Sequence, residues 1–120
     1  MRAAIDQLSA AGEAAELDVW VVADARFHEA IRDAARNPKL TQIAAMVYPL
    51  IERVRHMHLR EEPAPARIAA QTAAHRDIGE AILARDGERA ETLTRCLFAD
   101  ARERNALLLR RWVEPLRRQF

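Results

Sequence analysis

Asp24-Ala25-Arg26-Phe27-His28 is the stretch on which the fold reading turns. Leu17, Val21, Asp24, His28, Ile31 and Ala35 recur at steps of three and four residues, which is one face of a helix predicted over 14–35. Trp20 and Phe27 flank this stripe, and Asp18, Arg26, Glu29 and Arg36 lie opposite it. A carboxylate and an imidazole therefore fall on an apolar face. Their four-residue spacing puts them on successive turns, about 6 Å apart along the axis, where both can reach one point.

A second histidine behaves the same way. Ile68, Thr72, His75, Gly79 and Ile82 share a face of a helix predicted over 66–85. Carboxylate oxygen and imidazole nitrogen suit divalent transition ions of the Zn, Ni or Mn class, so Asp24, His28 and His75 are the candidate metal ligands. The same residues also fit a buried Asp–His hydrogen bond with no metal. Gly79 costs a helix about 1 kcal/mol relative to Ala, which implies a close approach one turn after His75.

The rest of the chain reads as scaffold. Residues 1–11 are a short helix with Ile5 and Leu8 on one side, ended by Gly12. Asn37-Pro38 caps and starts a third helix over 38–59, whose buried side is Leu40, Ile43, Ala44, Val47, Tyr48, Ile51 and Val54. Arg55 and His58 continue that line. Glu61-Glu62-Pro63-Ala64-Pro65 reads as a loop. Asp86 caps a fifth helix running from Gly87 to about Val113, before Pro115, with Ala90, Leu93, Thr94, Leu97, Ala101, Asn105 and Leu108 inward. Long helices with short connections favour an all-α antiparallel bundle.

Composition bounds the function. The 120 residues make one domain, 50% hydrophobic and only 5% aromatic. The net charge of +1, with interspersed signs, argues against a phosphate-binding face. Cys96 is the only cysteine and reads as a small buried hydrophobe, which excludes an internal disulfide and suits a reducing compartment. No signal peptide or membrane span is visible, so the expected location is the cytoplasm. Phosphate loops, nucleophile elbows and paired carboxylates are also missing from the pattern.

Two motifs carry a family resemblance. Asp24-Ala25-Arg26-Phe27-His28-Glu29-Ala30-Ile31 followed by Ala34-Ala35-Arg36-Asn37-Pro38-Lys39-Leu40, then His75-Arg76-Asp77-Ile78-Gly79-Glu80-Ala81-Ile82 with Asp86, resemble the signatures of the FCD domain. That domain is the C-terminal effector domain of FadR-like, GntR-type transcription regulators. The resemblance implies a helical bundle that binds a small organic acid and often a divalent metal, held by one Asp and three His. By position it implies Asp24, His28 and His75 as ligands and puts the fourth at Leu97, leaving the site to be completed by water or effector. Arg55, Gly79 and Asn105 are the expected effector-binding residues. It further implies a homodimer, a non-enzymatic role, and contact with operator DNA only through a winged helix-turn-helix that these residues do not contain. The first helix looks shortened against the family. Two other functions fit the residues: a small metal-dependent enzyme around Asp24, His28 and His75, and a purely structural interaction module.

Overall fold

The computed structural model describes residues 1–61 and 64–119, and among these the chain forms five α-helices and no strand. They are α1 (Arg2–Ala14), α2 (Leu17–Ala34), α3 (Pro38–Glu61), α4 (Ala64–Leu83) and α5 (Gly87–Arg117). The fold is the expected all-α bundle. Helix α1 packs on α2 and α4, α4 packs on α5, and α3 crosses the edge of this group.

Local chemistry accounts for most helix ends. Asn37 Oδ1 accepts from the Leu40 N–H (3.2 Å) and Asp86 Oδ1 from the Arg89 N–H (3.0 Å), so both expected caps form. The expected Gly12 cap does not form. Gly12 lies inside α1, and Ala15 takes the left-handed conformation instead (φ 54°), its N–H reaching the Ala11 carbonyl. A Cβ on Gly12 would meet Thr72 of α4, so this glycine serves helix approach, not termination. The expected loop at 61–65 is also shorter than read. Glu61 closes α3, while Ala64 and Pro65 open α4, where the first turn needs no N–H from proline. Glu62 and Pro63 lie outside the described residues. Pro115 falls in the last turn of α5 and does not stop it at Val113.

The core is built from Ile5, Leu8 and Ala11 of α1, Trp20, Ala23 and Phe27 of α2, Leu59 of α3, and Ile68 and Ile78 of α4. On α2 the flanking aromatics are the most buried residues, and Leu17, Val21 and Ile31 sit half-buried around them. Ala35, placed on the inward stripe by its spacing, is exposed. The largest departure is α3. Leu40, Ile43, Val47 and Ile51, expected to be buried, are exposed, as are Met46 (84%) and Leu50. Periodicity marks an amphipathic face but does not supply the element that covers it.

Candidate metal and effector site

Three elements bring the site together. Helix α2 carries Asp24 and His28 on successive turns, α4 carries His75, and α3 lays Arg55 across them. Asp24 is 2% exposed and His75 fully buried, while His28 and Arg55 reach the edge of a cavity. Phe27 fixes the rings by edge-on contacts with both His28 (5.8 Å between centroids) and His75 (5.3 Å), and Trp20 packs on His75 at 6.3 Å.

Hydrogen bonds assign the protons. His75 Nδ1 donates to the Gln71 carbonyl one turn earlier, at 2.6 Å, which leaves Nε2 as a bare lone pair. Arg55 Nη2 donates to His28 Nε2 at 2.8 Å, so that nitrogen is an acceptor too. These two nitrogens lie 3.0 Å apart, and Asp24 Oδ1 lies 3.2 Å from His75 Nε2 and 3.5 Å from His28 Nε2. Asp24 Oδ1, His28 Nε2 and His75 Nε2 thus converge on one point, and the Arg55 guanidinium is the cation that faces all three. Burial pushes the His75 imidazole down to about 4, against weaker opposition from the Asp24 charge, which keeps it neutral. Burial also pushes the Asp24 carboxyl up, but the contact with His28 and the Arg55 charge outweigh it and leave the group below its ordinary value.

The donor set fits a transition ion. The triangle formed by Asp24 Oδ1, His28 Nε2 and His75 Nε2 has its circumcentre about 1.9 Å from each atom, just inside usual first-row ligand distances of about 2.0–2.2 Å. The second nitrogen of His75 is held by a backbone carbonyl, the support that orients a ligating imidazole.

Arg55 is the residue whose role the sequence left least defined. It forms a forked contact with Asp24, Nη1 to Oδ2 at 2.5 Å and Nη2 to Oδ1 at 3.4 Å, and Nη2 also lies 3.4 Å from His75 Nε2. A neighbouring cavity of about 450 Å³ is lined by Trp20, His28, Tyr48, Arg55, Leu97 and Asn105, among others. Asn105 and Arg55 therefore face a common space, and Leu97 faces it beside His28. Gly79 does not. It is buried between α4 and α1, where a Cβ would come within 2.7 Å of Ile5 and 3.1 Å of Phe27. The close approach inferred at Gly79 is real, but a core isoleucine makes it, and the expectation of effector contact there is corrected.

Tyr48 was read only as part of an apolar stripe. Its ring stands 5.5 Å from His28 and beneath the Arg32 guanidinium, and it lines the cavity. Its hydroxyl is buried without a hydrogen-bond partner among the described residues. Cys96 is exposed, contrary to expectation, one position from Leu97 but turned away from the cavity wall that Leu97 forms. The side chain of His58, expected to continue the α3 line, lies outside the described set.

No helix among the described residues is long and apolar enough to cross a membrane. No curated protein and no solved structure matches the chain. The family model of the FCD domain matches residues 1–100. This match spans the helices that carry Asp24, His28 and His75 and the cavity wall at Leu97 and Phe98, and the chain belongs to the FCD family, the effector-binding regulatory domains of GntR-type transcription regulators.

Proposed function

We propose that this domain senses a small carboxylate that enters the cavity beside Asp24, His28 and His75, with a divalent ion held by those three side chains. The observation that carries the reading is the cavity of about 450 Å³ beside the Asp24–His28–His75 cluster, whose wall presents Arg55 and Asn105. The volume suits a small molecule, and a guanidinium fork matches a carboxylate. When bound, the ion would supply a Lewis-acidic anchor for a ligand oxygen. His75 stays neutral and ready to ligate, Arg55 and Asn105 orient the acid, and Trp20 and Leu97 exclude water around it.

The domain acts by binding, not by chemistry on its ligand. Occupancy would shift the packing of α3 and α5 about the cavity, a change the parent regulator passes to a DNA-binding head outside these residues. FCD regulators usually dimerise, and we extend that to this chain.

Thermal-shift measurements with succinate, acetate and succinamide test the reading. Both carboxylates should raise the melting temperature with a logarithmic dependence on concentration, the neutral amide should not, and each ligand should be recovered unchanged. A flat response to every carboxylate through the millimolar range would refute it.

A further inference from the structure

We propose that Arg55 is an exchangeable internal cation: its guanidinium and a divalent ion compete for the Asp24–His28–His75 triangle, and an ion that wins releases Arg55 into the cavity to take a carboxylate. The inference rests on the reading of the triangle as a metal site and adds a competitor from the chain itself.

The argument is geometric. Nη2 of Arg55 stands 2.8 Å from His28 Nε2, 3.4 Å from His75 Nε2 and 3.4 Å from Asp24 Oδ1. Combined with the distances among those three atoms, this puts Nη2 about 2.5 Å above the plane of the triangle, close to its centre. The guanidinium is thus the cation that faces all three converging acceptors. An ion about 2.1 Å from all three atoms would lie within about 2 Å of Nη2 on the face that Arg55 covers. On the opposite face it would still lie only about 3.5 Å away, a doubly charged ion against a full positive charge in a largely buried site. Neither arrangement tolerates the present position of Arg55, so occupancy is exclusive.

Exchange has somewhere to go. Arg55 is half-buried and already lines the cavity, so leaving the triangle exposes its fork to that space without unfolding α3. While paired with Asp24, the same fork is satisfied by an internal carboxylate and is a poor anchor for an external one. Metal and acid are therefore linked: filling the triangle frees the group that binds the acid, and each raises the affinity for the other by the same factor. Leu97 strengthens the competition, because an apolar side chain at that place in the wall offers the ion no further donor and leaves the guanidinium able to contest it.

Calorimetric titration of the whole chain with zinc chloride near pH 7.5 tests the exchange, using wild type, Arg55→Gln and Arg55→Lys, with His28→Ala as the control for site identity. Arg55→Gln removes the competitor and should bind zinc at least tenfold more tightly than wild type. Arg55→Lys retains a cation and should stay within a few-fold of wild type, and His28→Ala should not bind. If Arg55→Gln is poorly folded alone, zinc should raise its melting temperature by more than it raises that of wild type. Equal or weaker zinc binding by Arg55→Gln, or no zinc binding by any variant, overturns the exchange. In wild type, saturating zinc should tighten succinate binding, and unchanged succinate affinity overturns the linkage. Failure of succinate to bind under any condition refutes the effector reading separately, because the zinc comparison uses no organic acid.

Discussion

Trp20 donates its indole N–H to Thr72 Oγ1 at 2.8 Å, and Thr72 passes its own hydroxyl hydrogen to the Ile68 carbonyl at 2.7 Å. The largest core side chain is thereby tied to the helix that carries His75. Thr72→Val keeps the shape but strands a fully buried N–H, with an expected loss of about 1–3 kcal/mol in chemical denaturation. Thr72→Ser keeps the acceptor and should lose much less. A larger loss for Thr72→Ser than for Thr72→Val would show that methyl packing, not the hydrogen bond, matters there.

Gly79 tests the approach of α1 to α4. Gly79→Ala improves helix propensity by about 1 kcal/mol, yet its methyl would sit 2.7 Å from Ile5. Overpacking of this kind costs about 1–3 kcal/mol, so net destabilisation is expected. Ile5→Ala opens the same space, and the double variant should be more stable than the sum of the two single losses predicts. Simple additivity in urea melts would contradict the contact.

Acid should weaken the metal-free fold in two stages. His75 is held at about 4 when folded, against an ordinary value of 6.5, so the unfolded chain binds a proton the folded chain refuses. Its contribution is complete above about pH 6.5 and is lost as pH falls toward 4, amounting to about 3 kcal/mol. Asp24, lowered when folded, contributes above its ordinary value near 3.8 and loses that contribution as pH falls further, through its folded value. Denaturation midpoints with chelator present, measured from pH 7.5 to 4, should fall steadily. His75→Gln should flatten that slope, and an unchanged slope would contradict the neutral buried imidazole.

Leu97→His gives a direct check on the cavity wall. Leu97 shares that wall with His28, so Leu97→His brings a further imidazole to the same cavity. Zinc affinity should rise about tenfold or more relative to wild type. No gain would place position 97 out of reach of the triangle.

Much of the site was legible because it broke a pattern. Asp24, His28 and His75 are polar residues on apolar stripes, and helical spacing alone puts the first two together. The pairing of Arg55 with Asp24 joins residues 31 positions apart on different helices, and no local rule reports such a contact. Tyr48 hid for the opposite reason: it fits an apolar stripe so well that its hydroxyl drew no notice. The fold class followed from helix formers and capping residues, and Asn37 and Asp86 cap as read. Boundaries failed where proline and glycine serve other purposes, at Gly12, Pro65 and Pro115. The exposed face of α3 was illegible because burial is a property of two surfaces, and a single helix's pattern describes one.

Pro49 lies inside α3, about one and two-thirds turns before Arg55. It has no N–H to give the carbonyl of Ala45, so the helix is joined there by one hydrogen bond fewer. Helices α2 and α4, which carry Asp24, His28 and His75, are both clamped to α1, whereas α3 is bare along much of one side. In the proposed exchange the anionic tripod is therefore the fixed part of the site and the guanidinium its sliding bolt, carried on the helix with the least to hold it still.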